Sequence, residues 1–237
     1  MYIKKKWVPA IVFVSIALIC GFLSIFLPWW SVGTSPEAEV LTNVGVRTEY
    51  RLLKTVLLYK RTGNDVFSLY LYLNMVNVTS NQDIFNEIYS VFDMTMWLQV
   101  SGIVVGAVVF VLAIVIDRKK LKTLWVIGML ISATLVLAAP LYFMYNFVPS
   151  ISKLDQFTPV TLPEEYIPIK PANVSTFFGN MTIPKASTYP SWAQGQPFWI
   201  WGATSGFFLA LTASFMLFAS TVIVNFALTE RRKFALS

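Results

Sequence analysis

The sequence predicts a membrane all-α four-helix bundle with a small extracellular antiparallel β-sheet in its first outer loop. Only 13% of the 237 residues are charged, against roughly 25% in a soluble domain. Charges are absent from residues 7–36, 94–116, 123–152 and 186–229, and each stretch exceeds the roughly 20 residues that a helix needs to cross a bilayer. After the first uncharged stretch, apolar and polar residues alternate with a period of two, which is typical of a strand.

The spans and loops follow from these stretches. The first apolar run is longer than the core of a signal peptide, so we expect an uncleaved span. In chain order, the sequence predicts an inner N-terminus (1–6), span one (7–30), the first outer loop (31–93), span two (94–116), an inner turn (117–122), span three (123–147), the second outer loop (148–196), span four (197–227) and an inner tail (228–237).

Basic residues predict the orientation. They cluster at residues 4–6, 118–122 and 231–233, and lysine and arginine beside short loops favour the cytoplasmic side. All eight tryptophans lie near predicted span ends, where indole rings prefer the membrane interface. We therefore expect a multi-pass protein of the cell membrane with both termini in the cytoplasm.

The two outer loops have different patterns. In the first, the alternation over residues 39–51 predicts a strand, with Arg47, Glu49 and Arg51 on its charged side. Extended segments over 52–60 and 66–78 flank a turn at 62–65, and a capping pattern at Ser80 predicts a helix from about residue 81. The second loop contains most of the chain's prolines, which oppose regular structure, so we expect at most one short strand there.

Composition restricts the chemistry. The chain has no histidine and one cysteine, Cys20, which excludes histidine metal sites, serine–histidine triads and disulfides within the chain. The sequence predicts no catalytic residue, no metal and no cofactor, and no nucleic acid among its partners. The spans also lack ionisable groups, which disfavours a transporter.

Small residues and sequons supply further candidates. Gly102 and Gly106 in span two, and Gly202 and Gly206 in span four, are four residues apart and predict close helix packing, either within the bundle or against another chain. Three Asn-x-Ser/Thr sequons lie on the predicted outer side and are candidates for glycosylation: Asn77, Asn173 and Asn180.

The end of span one carries a family resemblance. Leu27-Pro28-Trp29-Trp30-Ser31-Val32 resembles the Leu-Pro-x-Trp-x-Val opening of claudin loops, and the glycine pair of span two is similar to the second span of that family. The resemblance implies a claudin-like architecture, which is shared by relatives among myelin and calcium-channel accessory proteins. The Gly-Leu-Trp motif and paired loop cysteines of claudins have no counterpart in this chain.

The leading functional hypothesis is a non-catalytic tetraspan. Besides the lipid bilayer, its partners would be other membrane proteins or further copies of itself, reached through the extracellular domain, with Arg47, Glu49 and Arg51 as interaction candidates. One alternative is a pore formed by oligomers, in which loop charges such as these and Asp65 tune selectivity. A membrane enzyme that uses carboxylates such as Glu164 and Glu165 is a further alternative.

Overall fold

The computed structural model describes residues 8–72, 82–115, 118–153, 174–182 and 195–234. The chain forms two compact units. We call Met1–Phe26, Met94–Leu141 and Phe208–Ser237 the bundle unit, and Leu27–Asp93 with Tyr142–Phe207 the sheet unit. The elements in chain order are α1 (Val8–Phe26), β1 (Pro28–Thr34), α2 (Pro36–Thr42), β2 (Val44–Arg51), β3 (Thr55–Thr62), β4 (Asp65–Tyr72), α3 (Gln82–Val115), α4 (Arg118–Ser152), β5 (Gly179–Thr182), β6 (Pro197–Ala203) and α5 (Ser205–Phe234).

Four helices are long and apolar enough to cross a membrane. The segments that meet this description are Val8–Phe26, Asn86–Ala113, Thr123–Ser152 and Ser205–Phe226. Within the described residues, these segments confirm the prediction of four long apolar helices, and the sheet confirms the prediction of a small antiparallel sheet.

Small residues bring the helices of the bundle unit close together. A β-carbon added at Gly102 of α3 would lie 2.6 Å from Val136 Cγ2 of α4, and one at Gly106 would lie 2.7 Å from Ser132 Oγ and 3.3 Å from Leu18 Cδ2. Both glycines therefore pack within the chain's own bundle. Alanines and larger apolar side chains complete this core, among them Ala17, Val109, Met129, Ala133, Ala213 and Leu217.

Hydroxyl and amide groups cross-link these helices. The Ser132 hydroxyl donates to the carbonyl of Gly102 at 2.7 Å, and the Ser214 hydroxyl donates to the carbonyl of Ala133 at 3.1 Å. Gln99, which is fully buried, donates from Nε2 to Ser24 Oγ at 2.8 Å and to the carbonyl of Gly21 at 3.3 Å. Each bond joins two different helices in surroundings without water, where an unmade bond is costly.

The sheet unit contains six antiparallel strands in the order β4-β3-β2-β1-β6-β5. β1 pairs with β2 on one side and with β6 on the other. The sheet therefore extends beyond the first predicted loop, because residues 28–30 of β1 and all of β6 were assigned to spans, and β5 comes from the second predicted loop. α1 ends at Phe26 where span one was predicted to continue to residue 30, and α5 begins at Ser205 where span four was predicted to begin at residue 197.

Local sequence explains these boundaries. Pro28 lacks the N–H that would continue α1, and tryptophan at the next two positions favours a strand. Thr204 follows the last residue of β6. Its hydroxyl donates to the carbonyl of Pro28, and its N–H donates to the carbonyl of Trp29. These bonds hold the end of β6 beside the start of β1.

A short helix replaces the first part of the strand predicted over 39–51. Ser35 caps α2 by accepting from the N–H of Ala38 at 3.0 Å, Pro36 occupies the first turn, and Glu37 and Glu39 lie there too. Carboxylates and proline at a helix start stabilise it, so these capping signals override the alternation. Asn43, with φ of 54°, ends the helix, and β2 begins at Val44.

The remaining elements of the first loop lie close to their predicted positions. β3 begins at Thr55, after a turn in which Lys54 has a φ of 59°, and Gly63 has a φ of 58° in the turn before β4. β4 ends at Tyr72, and the rest of the strand predicted to residue 78 lies outside the described residues, as does Ser80. α3 begins at Gln82 and continues through Val115.

The Thr204 bonds give a test of the pairing between β1 and β6. Thr204→Val keeps the side-chain shape but removes the hydroxyl donor, so we expect a loss of about 1 kcal/mol. That loss would lower Tm by about 2–4 °C in a chain of this size, measured by thermal unfolding in mild detergent. Thr212→Val is the control, because the Thr212 hydroxyl bonds only the carbonyl of Phe208 in its own helix. Equal shifts for both variants would contradict the prediction.

Candidate functional site: the open face of the sheet

The two faces of the sheet differ sharply in burial. Alternate residues of the central strands form a packed face, on which Trp30, Val32, Thr48, Tyr50 and Val56 are buried. The other face is more exposed, and we call it the open face. By strand register it contains Asn180, Ile200, Gly202, Ser31, Gly33, Arg47, Glu49, Arg51, Leu57 and Tyr59.

Aromatic rings fill the packed face. Phe147 of α4 lies 5.2 Å from Trp30 and 5.3 Å from Tyr50 between ring centroids, and it stacks on Phe143 at 4.6 Å. Burial raises the pKa of the Tyr50 hydroxyl well above its ordinary value. Trp29 and Trp30, predicted as membrane-interface residues, are fully buried in this core, so the prediction of a tryptophan belt is wrong for this pair.

Trp125 of the bundle unit and Trp201 of β6 are buried as well, whereas Trp97 is 67% exposed. The indole of Trp30 donates to the carbonyl of Phe177 at 2.9 Å, and that of Trp201 donates to the carbonyl of Thr176 at 2.9 Å. A buried indole N–H needs an acceptor, and here the backbone before β5 supplies it.

The open face carries a connected group of charges on β2. Arg47 Nε lies 3.2 Å from one oxygen of Glu49, and Arg51 Nη2 lies 3.3 Å from the other. The side chain of Glu49 is only 15% exposed between the two arginines, whose side chains are 54% and 24% exposed. The three residues predicted as interaction candidates therefore lie together on one face, as a bridged group with one surplus positive charge.

Two glycines leave positions without a side chain on the open face beside this group. A β-carbon added at Gly45 would lie 2.7 Å from the Glu39 carboxylate of α2, so that carboxylate lies against the bare backbone there. On β6, the ring of Phe178 lies over Gly202, with Cδ1 2.7 Å from the position of an added β-carbon. Gly202 thus lies in a strand and accommodates an aromatic ring.

Gly206 has a different role from the predicted one. It lies in the first turn of α5, where an added β-carbon would approach the carbonyl oxygens of Leu27 at 2.7 Å and Pro28 at 2.8 Å. The helix face predicted for Gly202 and Gly206 is therefore wrong, because Gly202 belongs to β6 and Gly206 packs against the backbone at the start of β1.

Two lysine ion pairs tie helices into the sheet unit. Lys54, in the turn between β2 and β3, lies 2.5 Å from Asp93 Oδ1 and 3.7 Å from the centroid of the Tyr89 ring. Burial of the ammonium lowers the pKa of Lys54, but hydrogen bonds to Asp93 and Tyr89 and attraction to their charges outweigh it, so the pKa is raised. Lys153 pairs with Glu87 at 2.6 Å.

One of the three sequons lies in the described part of the chain. Asn180 is exposed in β5, while Asn77 and Asn173 lie outside the described residues. Within the described ranges, no group of three histidine, cysteine, aspartate or glutamate side chains could hold a metal ion. Glu164 and Glu165, the carboxylates of the enzyme alternative, also lie outside those ranges.

Sequence reasoning missed two features of these units. Gln99 was overlooked although an amide inside the uncharged stretch 94–116 is a readable signal. The contact of Lys54 with Asp93 joins residues far apart in the chain, and no local pattern indicates it.

Comparisons with protein-family models, with curated proteins and with solved structures return no match to this chain. The claudin-like architecture stays a prediction.

The Lys54 pair predicts a pH dependence of stability. Because the folded pKa of Lys54 is raised above 10.5, its contribution is fully present below that pH and is lost as pH rises through the folded pKa. Lys54→Met should therefore lower the free energy of unfolding by about 1 kcal/mol or less, and only at pH values below the folded pKa of Lys54. Thermal unfolding of both proteins on either side of pH 10.5 measures the difference.

Lys153→Met is the matched control, since it breaks a more exposed pair, with side chains 51% and 41% exposed. We expect a smaller change in Tm at every pH. A Tm difference between wild type and Lys54→Met that grows above pH 10.5 would have the wrong sign for this ion pair.

Proposed function

We propose that this chain is a non-catalytic four-span membrane protein of the cell surface, whose sheet unit faces the outside and makes protein contacts. It acts either by self-assembly or as an accessory subunit of a membrane complex. The observation that carries the proposal is the bridged group of Arg47, Glu49 and Arg51 on the open face.

The geometry of that group suits recognition. Glu49 bonds both arginines, so the three side chains are held in place before a partner arrives, and less side-chain freedom is lost on binding. The surplus positive charge favours a partner that presents a carboxylate at this position, because complementary charge selects and orients partners. An acidic loop on a membrane protein has the required chemistry.

The bundle unit supports an anchoring role. Its polar side chains Gln99, Ser132 and Ser214 make bonds to neighbouring helices of the same chain. The four uncharged stretches contain no aspartate, glutamate, lysine, arginine or histidine, the residues that most often bind a transported ion or relay a proton. Specificity is therefore assigned to the sheet unit.

The charged face also supports an alternative, in which several copies assemble a pore lined by their open faces. Charged rings at a constriction select ions by sign, and the surplus arginine would favour anions. Purified protein in a planar bilayer distinguishes the two: a conductance whose anion preference falls in Arg47→Ser would favour the pore. A membrane enzyme is the less favoured alternative, because the chain has no histidine and its one cysteine lies in an uncharged stretch.

Removing the charged group tests the proposal. In the variant with Arg47, Glu49 and Arg51 all replaced by serine, we expect association to be lost, because the partner's charge has no complement. Tm should change by less than about 2–4 °C, since partly exposed ion pairs contribute little. Purification in mild detergent, with co-eluting chains identified by mass spectrometry and copy number by light scattering, measures association.

The control replaces Glu87 and Lys153 by serine, which removes a more exposed ion pair outside the strands and should leave association intact. Normal association of the triple variant would contradict the proposal. It would point instead to the exposed apolar row of α3, which includes Val104 and Val108.

The orientation has its own test. In a Cys20→Ala background, Asn64→Cys in the exposed turn before β4 should react with an impermeant maleimide on intact cells. Thr123→Cys, beside the basic turn 117–122, should react only after the membrane is permeabilised, because positive flanks stay inside. Labelling of Thr123→Cys but not Asn64→Cys on intact cells would reverse the orientation.

A further inference from the structure

An apolar platform lies beside the one described sequon. Phe178 and Ile200 are 53% and 44% exposed, although neighbouring residues of the same segment, such as Phe177 and Trp201, are buried. Adjacent exposed apolar side chains outside the spans mark a surface that something covers.

The register directs Asn180 toward this platform. Asn180 is the strand partner of Ile200, and the ring of Phe178 lies over Gly202, two residues after Ile200 in β6, so all three lie on the same face. The side chain of Asn180 is exposed, and no described group bonds its amide. A substituent on the amide nitrogen therefore begins at the edge of the platform.

The platform is held in position by the backbone around it. Phe178 lies across Gly202, where a side chain would collide with its ring, and packs edge-on against Phe177 at 5.1 Å. The Thr176 hydroxyl donates to the carbonyl of Phe178 at 2.7 Å. The ring is thus held over Gly202 while more than half of the side chain stays exposed.

We propose that Asn180 carries an N-linked glycan whose first sugar packs on Phe178 and Ile200. In the modification, the amide nitrogen forms a bond to C1 of the first sugar of a lipid-linked diphosphate oligosaccharide. The bond from that carbon to the phosphate oxygen breaks, the lipid diphosphate leaves, and the nitrogen loses one proton. The C–H groups of one sugar face then cover the aromatic ring and the aliphatic chain, which removes both from water.

This inference rests on the proposed location of the sheet unit outside the cell. It also assigns the glycan a structural role, since the sugar completes a surface that the described residues leave open. A sequon on a strand edge without such a platform would carry a sugar that contacts only water.

The test uses the full chain expressed in a cell with N-glycosylation machinery and purified in mild detergent. Mass spectrometry should find a glycan on Asn180 in wild type and none there in Thr182→Ala, which destroys the sequon. We expect Thr182→Ala to lower Tm by about 2–4 °C, the size that one well-packed contact gives in a chain of this length. In an Ile200→Thr background the same change should lower Tm by less than half as much, because the platform is already impaired.

Val66→Gln is the matched background, because Val66 is also exposed on the sheet but lies in β4, four strands from β6 in the sheet order. In this background the full drop in Tm should persist. An equal drop in the Ile200→Thr and Val66→Gln backgrounds would overturn the packing of the sugar. Phe178→Ser serves as a second platform variant if Ile200→Thr does not fold.

The outcomes separate this inference from the proposed function. An unmodified Asn180 with a glycan on Asn77 or Asn173 would overturn the inference but leave the sheet unit outside. If none of the three sequons were modified, the inference would be wrong, and maleimide labelling of Asn64→Cys would decide whether the proposed orientation fails as well.

Discussion

Hydrogen bonding on both sides of β1 is the constraint on which the sheet unit depends. β1 begins two residues after α1 ends, and it pairs with β2 on one side and with β6 on the other. Because β1 is hydrogen-bonded to a strand on each side, its register determines the register of both neighbours. Thr204 at one end and Ser35 at the other, which donates from its N–H to the carbonyl of Phe198, lock that register.

The register of β1 also decides which side chains reach which face. Trp30 and Val32 point to the packed face, and Ser31 and Gly33 to the open one. A slip of β1 by one residue would turn Trp30 and Val32 to the open face, beside the charges of β2. The aromatic core and the charged group are therefore two consequences of one pairing, and a mutation that shifts β1 would damage both.

Much of this arrangement is readable from the sequence, and the failures have physical causes. Long stretches without charged residues identify the spans, and the period-two pattern of residues identifies the charged side of β2. The same uncharged length conceals β6, because a buried strand such as Pro197–Ala203 is as apolar as the helix that follows it. Gly202 and Trp29 were misassigned for the same reason. The helix α2 was missed because Val40 and Thr42 extend the period-two pattern of residue types that continues into β2, although Ser35 and Pro36 signalled its start. The contact of Phe178 with Gly202 has no local signature at all.

The sheet unit must also hold together without a covalent bridge, since a single cysteine cannot form one within the chain. A disulfide typically stabilises a fold by about 2–4 kcal/mol, whereas fully burying one large apolar side chain contributes about 1.5–3 kcal/mol. Trp29, Trp30, Tyr50, Phe92, Phe143 and Phe147 are all buried, and their rings contact one another. One or two of these rings already match one bridge. Because their contribution comes from packing, it depends on the face to which β1 directs Trp30. The pairing of β1 on both sides is therefore the feature that this unit cannot lose.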